Sequence, residues 1–348
     1  MAISMARLAL LGLVALLSAC SELQYYRQSI EGQLDIVNRR QAIDSLVTDV
    51  GQDVHLRERL ARVSELRAFA IRELGLPDTG SYTQYADLDR EYAVLGLYAA
   101  PEFSIDLKTW CYPVVGCAAY RGYFDRPMLT AYAEELQNQD YETYIAVVPA
   151  YSTLGWFDDP VLNTVLDWPE PQLAGLIFHE LAHQKLYVKG DTVFNESFAT
   201  AVERLGVERW LERSGDRAAV EHYRNYWSYR RQVVELIIEG RNQLQALYGQ
   251  DLRPEVMRAG KRRYLQALQR QYQALRQSMP FDPGYDAWFS VGLNNAKLGA
   301  VAAYNRYVSA FLAMLERQKG DFPAFYAEAA RIGKMPPAQR EIRLAEMR

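Results

Sequence analysis

The sequence predicts an α+β, predominantly α-helical fold, and three observations carry that expectation. Apolar residues recur at helical spacing over 22–75, and again from Pro169 almost without interruption to the C-terminus. The stretch between, 82–150, breaks instead into short apolar runs separated by Pro, Gly and Asp. The turn-rich cluster Leu76-Pro-Asp-Thr-Gly-Ser81 divides the first pattern from the second.

The first seven residues carry one Arg, Leu8 to Leu17 is apolar, and Leu17-Ser-Ala-Cys20 follows. This is the pattern of an export signal over 1–19, too short for a comfortable membrane span. A Cys directly after Leu-Ser-Ala resembles the bacterial lipobox. That resemblance implies a lipid anchor on Cys20, and Ser21 in place of Asp implies the outer membrane, facing the periplasm. The remaining chain, 20–348, reads as one domain.

Within 22–75, Leu34, Ile36, Val37, Ile43, Leu46 and Val47, then Leu60, Val63, Leu66, Ala68 and Ile71, fit two helices breaking near Asp49 to Asp53. Over 82–150, Tyr92 to Tyr98 and Tyr144 to Val148 read as strands and Arg126 to Gln137 as a helix, which predicts a small mixed sheet. Cys111 and Cys117 flank Pro113 and Gly116, so an oxidising compartment predicts a local disulfide. Asp167-Trp-Pro169-Glu170 opens a helix with the stripe Leu173, Leu176, Ile177 and Leu181, and Lys189-Gly190-Asp191-Thr192 stops it and caps the next, giving a pair over 169–210. The rest, 211–348, is helical, with Ala218 to Tyr248 and Pro254 to Gln277 as an antiparallel hairpin.

Composition excludes some functions. Lys+Arg number 39 against 43 Asp+Glu, a net charge of −4 with no long basic run, which excludes a nucleic-acid partner bound through phosphate neutralisation. No stretch after the first 20 residues is apolar enough to span a bilayer, which excludes a polytopic membrane protein.

The chain has four histidines, and two of them stand in His179-Glu180-Leu-Ala-His183. Residues at i and i+4 share a helix face, so both imidazoles can address one metal ion while Glu180 stands beside them as a general base. A catalytic zinc takes three protein ligands and keeps one position open. The Gly and further His of a three-histidine extension are missing, Leu186 standing where that Gly would be, so a carboxylate is the remaining ligand. Asn195-Glu196 follows on the second helix of the pair and offers Glu196, completing a His179, His183, Glu196 site for one Zn²⁺ per chain. His55 and His222 sit among charged helix residues and read as surface or packing residues.

In this arrangement the sequence resembles the gluzincins, metallopeptidases with His-Glu-x-x-His and a glutamate from a following helix. It departs from them in a short gap to Glu196 and in Thr200 where Asp is common. Glu203, one turn on, is the substitute partner for a ligand histidine, with Asn195 beside the site. The phrases Gly75-Leu-Pro-Asp78, Pro101-Glu-Phe-Ser104, Trp110-Cys-Tyr-Pro, Tyr120-Arg-Gly-Tyr-Phe124, Ala150-Tyr-Ser-Thr-Leu-Gly-Trp-Phe157 and Phe194-Asn-Glu-Ser-Phe-Ala199 resemble a bacterial lipoprotein family described as zinc aminopeptidases. The resemblance implies a zincin-like active-site helix pair and hydrolysis of peptide or protein substrates at a zinc-activated water, with aminopeptidase action first. The rival readings are an endopeptidase acting on envelope proteins and a non-catalytic scaffold lipoprotein with a structural or vestigial metal site. Candidates for contacting substrate or a developing oxyanion are Tyr151, Arg121 and Tyr304, with Tyr120 and Tyr123 as further possibilities, and Tyr144 to Val148 is the candidate substrate-binding edge. A true aminopeptidase also needs acidic groups near the substrate amine, for which Asp158, Asp159 and Glu142 are available.

Overall fold

Helix-forming sequence dominates both ends of the chain, and the computed structural model places helices there. It describes residues 22–112, 116–153 and 157–347, apart from the side chains of residues 303 and 304. Cys20, the segment 1–19 and the Tyr304 side chain therefore lie outside the described residues.

The amino-terminal part holds three helices, not two: α1 (22–38), α2 (Ile43–Thr48) and α3 (Val54–Leu74). The break at Asp49 to Asp53 is present, and the Asp53 carboxylate caps α3 by accepting from Leu56 N–H at 3.0 Å. The additional break is β1 (Gln41–Ala42), which pairs antiparallel with β2 (Gln84–Ala86). Ile36 and Ile43 are both buried on either side of it, so the apolar pattern runs through the break and hides it.

The fold is α+β and predominantly helical as expected, and the strands divide into three small sheets, a finer arrangement than the small mixed sheet read from 82–150. The mixed pairing is β1-β2-β8, with β8 (Val161–Leu162) parallel to β2, and two of its strands come from outside that stretch. The principal sheet is antiparallel, with β3 (Val94–Pro101) between β6 (Arg121–Tyr123) and β7 (Tyr141–Val148). The third is a hairpin of β4 (Trp110–Tyr112) and β5 (Gly116–Ala118), in which Cys111 faces Cys117 and the two form the disulfide.

Strand β3 is buried on both faces, which explains its nearly continuous apolar sequence. Leu95, Leu97 and Ala99 pack on Leu129, Ala133 and Leu136 of α4 (Arg126–Gln137). Tyr98 and Ala100 pack on Ala296 and Ala300 of α11 (Asn295–Asn305). Strand β7 pairs with β3 along its whole length, from Val94↔Val148 to Pro101↔Tyr141, and no described strand lies on its other side. It is an edge strand, with Val147 59% exposed.

After the short helix α5 (Asn163–Leu166) come α6 (Glu170–Lys185) and α7 (Thr192–Ser214), then the hairpin of α8 (Arg217–Tyr248) and α9 (Pro254–Gln277). The chain ends in α10 (Asp286–Ser290), α11, α12 (Val308–Arg317), α13 (Phe322–Gly333) and α14 (Pro337–Ala345). Phe178, Phe194, Phe198, Phe311 and Phe325 share one core beneath α6 and α7, and a separate cluster of Val233, Ile237, Leu244, Met257 and Leu268 holds α8 to α9. Among the described residues no helix is long and apolar enough to cross a membrane.

Helix α7 packs tightly on α3 and α6 at Gly206, where a Cβ would stand 2.7 Å from Leu74 Cδ1 and 2.8 Å from Phe178 Cδ2. Overpacking of this kind costs about 1–3 kcal/mol, against a helix-propensity gain of about 1 kcal/mol. Gly206→Ala is expected to lower the urea midpoint with an unchanged slope. A midpoint at or above the parent's would show that the three helices do not touch there.

Candidate active site

Helix α6 begins at Glu170 after Pro169 and carries His179 and His183 one turn apart, with ring centroids 4.9 Å from each other. Helix α7 begins at Asp191, whose carboxylate accepts from Phe194 N–H at 2.9 Å. The two helices run antiparallel, because His179 meets Glu203 while His183 meets Glu196. Glu196 and Glu203 lie two turns apart on α7 and so project from one face.

Both imidazole Nε2 atoms converge on a single carboxylate oxygen. His179 Nε2 is 3.3 Å and His183 Nε2 3.6 Å from Glu196 Oε2. The other ring nitrogen of His179 is 3.1 Å from Glu203 Oε2. Room for Glu203 comes from Gly175, one turn before His179, where a Cβ would stand 3.2 Å from Glu203 Cγ and 3.3 Å from its Oε1. The buried His183 Nδ1 has no hydrogen-bond partner among the described residues.

The donor atoms of His179, His183 and Glu196 all lie within 4.8 Å of one another, a group that could hold a metal ion. Two zinc–ligand bonds of about 2.1 Å at the tetrahedral angle put their donor atoms about 3.4 Å apart, close to the 3.3 and 3.6 Å between Glu196 Oε2 and the two Nε2 atoms. The residues therefore fit zinc in donor type, number and spacing, and a carboxylate on the outer nitrogen of a ligand histidine is the usual support for such a site.

The electrostatics agree with a place for a cation. Burial alone would raise the Glu196 pKa, but the charges of His183 and His179 and the hydrogen bonds from both bring it down to about 2. Burial works to lower His179, and its bonds to Glu196 and Glu203 hold it well above the ordinary histidine value. Glu180 is buried and raised, chiefly by desolvation, with Glu196 and Asp159 adding to the shift against the two histidines. No described residue donates a hydrogen bond to it.

These side chains lie in a cleft of about 990 Å³. One wall is strand β7 with the chain that follows it, another is the sheet face of Tyr98 and Tyr120, and α1 supplies a third through Tyr25, Tyr26 and Gln33. Tyr151 lines the cleft and donates its hydroxyl hydrogen to Gln33 Oε1.

Arg121 does not reach it. Its register partner is Leu97, so it shares the α4 face of the sheet, pairs with Glu22 at 2.9 Å and lies over the Tyr25 ring at 3.8 Å. Period-two alternation turns its neighbour Tyr120 to the cleft instead. Asn195 is not aimed at a histidine either. Its Oδ1 accepts from Val188 N–H at 2.7 Å and its Nδ2 donates to Val188 O at 2.9 Å, so it fastens the α6–α7 connection.

Asp159 is engaged by Thr153, whose hydroxyl and N–H donate to it at 2.7 and 3.0 Å, and Glu142 accepts from Asn295 N–H at 2.7 Å and pairs with Lys261. Neither they nor Asp158 line the cleft. His55 lies at the surface 2.8 Å from Asp167, and His222 lies beside Phe281.

Tyr187, Arg230, Tyr285 and Trp288 line the cleft without having been singled out in the sequence. Tyr187 stands four residues after His183 but beyond the end of α6 at Lys185, so helical spacing does not place it there.

A family model described as "Putative aminopeptidase" matches residues 24–344. The chain belongs to this family. Searches of curated proteins and of solved structures found no match. Family membership supports a peptidase-like function, and the matched range spans all the site residues of this aminopeptidase-family chain.

Glu203→Gln removes the charge behind His179 without changing its size. The variant is expected to bind Zn²⁺ about 10- to 100-fold more weakly in a chelator competition. Gly175→Ala, which crowds Glu203 but leaves its carboxylate, should give a smaller loss of the same sign. Unchanged affinity in Glu203→Gln would show that the carboxylate does not orient His179.

Proposed function

We propose that the protein is a zinc-dependent peptidase, held by a lipid on Cys20 in the bacterial outer membrane and facing the periplasm. The observation that supports this best is Glu180. It is a buried carboxylate with no hydrogen bond from a described residue, standing in a wide cleft beside three donors grouped for one metal ion.

His179, His183 and Glu196 would hold the zinc, which when bound supplies a Lewis acid for the scissile carbonyl and makes a water more acidic. Glu180 takes the proton of the attacking water and delivers it to the leaving amine. Its raised pKa, set first by burial, brings it nearer to neutrality and suits it to both halves of that transfer. The free side of β7 offers backbone groups to which an extended peptide adds as a further strand. Tyr120, whose hydroxyl feels the charges of both Glu196 and Glu180, is the donor best placed to stabilise the developing oxyanion, in place of Arg121.

The metal is tested first, by elemental analysis of the chain from Ser21 onward purified without chelators. About one zinc per chain is expected, lost in Glu196→Ala. Peptide hydrolysis should fall about 10²- to 10⁴-fold in Glu180→Gln while the zinc stays bound. A parent chain without metal, or a Glu180→Gln variant with full activity, would overturn the proposal.

The anchor has a separate test. Labelled palmitate should enter the parent and not Cys20→Ala, and the variant should leave the membrane fraction. A variant that keeps both label and membrane association would place the anchor elsewhere.

A further inference from the structure

Arg230 projects from α8 and lines the same cleft as His179, Glu180, His183 and Glu196. It is one of four described arginines whose Nε is buried without an acceptor, the others being Arg121, Arg241 and Arg340. Each of those three has a carboxylate: Glu22 at 2.9 Å, Asp106 at 3.9 Å and Asp191 at 3.1 Å respectively. For Arg230 no described carboxylate lies within 4 Å.

Its neighbours are the rings of Trp227 and Tyr285, at 5.6 and 5.4 Å from the guanidinium carbon, and the hydroxyl of Tyr226. Aromatic faces stabilise a guanidinium without using its N–H groups, so most of the fork is left to donate. Glu203 acts on it through space but is committed to His179 Nδ1. A partly buried cation is costly unless an anion meets it, and among the described residues only Glu203 acts on this one, without pairing with it.

The rest of the cleft has the complementary deficit. Its carboxylates are Glu180 and Glu196, both already given roles, and Asp159 and Glu142 are satisfied elsewhere. Residues 1–21, 113–115, 154–156 and 303–304 contain no Asp or Glu. The cleft thus offers a fixed positive charge to a substrate and no spare negative one.

We infer that Arg230 is the binding site for a substrate carboxylate, so that the preferred substrates are peptides carrying one near the scissile bond. That carboxylate is either the C-terminus of a short peptide or an Asp or Glu side chain. The inference rests on the peptidase reading of the cleft and names its substrate class. A planar guanidinium fork matches a carboxylate in two parallel hydrogen bonds, and neither a neutral amide nor a Gln at position 230 reproduces that pairing.

The test is calorimetric binding to the zinc-loaded chain from Ser21 onward in a Glu180→Gln background, so that no ligand is consumed. The probes are an N-acetylated apolar dipeptide, its C-terminal amide, and the amide of a dipeptide containing Glu. The free acid is expected to bind on the order of 10- to 100-fold more tightly than its amide. That preference should vanish with Arg230→Gln and survive in part with Arg230→Lys, whose retained fold is checked by thermal melting. Tight binding of the Glu-containing amide assigns the site to a side-chain carboxylate, and weak binding assigns it to the C-terminus.

Equal binding of acid and amide, a preference that persists in Arg230→Gln, or no binding of any acid overturns the inference. Turnover is measured separately with Glu180 intact. Acid preference without any hydrolysis would refute the peptidase reading and leave Arg230 as a carboxylate site.

Discussion

The site depends on one contact, the antiparallel packing of α6 against α7. It sets Glu196 against both histidines and Glu203 behind one of them, so two acids and two imidazoles converge at the wall of the cleft, beside the apolar core of α6 and α7. Isolated charges in such a place would be expensive, and arranged in this way they leave a compact set of donors for a cation. The contact needs small residues to be this close. Gly175 lets Glu203 lie against α6, and Gly206 lets α7 reach Leu74 and Phe178.

The antiparallel sheet performs a second sorting. Because β3 is covered on both faces, its register partners in β6 fall either on the α4 side, as Arg121 and Tyr123 do beside Leu97 and Leu95, or on the cleft side, as Gly122 does. Arg121 goes to a structural ion pair for that reason, and Tyr120, just before the strand, packs against Tyr98 on the cleft side. The same rule leaves the outer edge of β7 available, with no described strand against it, along the wall of the cleft.

Charge is distributed economically over the rest of the molecule. Two acids flanking the motif helix in sequence are engaged in this way: Asp159 holds Thr153 and Asp191 caps α7. Arg230 departs from this pattern, set between aromatic rings with no carboxylate partner. A cation without a described carboxylate partner gives this part of the cleft a positive character that the overall charge of −4 does not reveal.

Local spacing determined what could be read from the chain by itself. Periodicity placed the helix at Arg126 to Gln137, the pair around His179 and Glu196, and the long hairpin, because each helix carries its own apolar stripe and its own caps. The four-residue spacing brought His179 and His183 together, and two turns of α7 aligned Glu196 with Glu203. The β1 break, the split into three sheets and the face taken by Arg121 were decided only in three dimensions. Each depends on which distant segment supplies the partner: β2 for β1, Leu97 for Arg121, and for Arg230 the absence of any described carboxylate. Pairings of that kind are set by packing between elements far apart in sequence, and a local pattern carries no record of them.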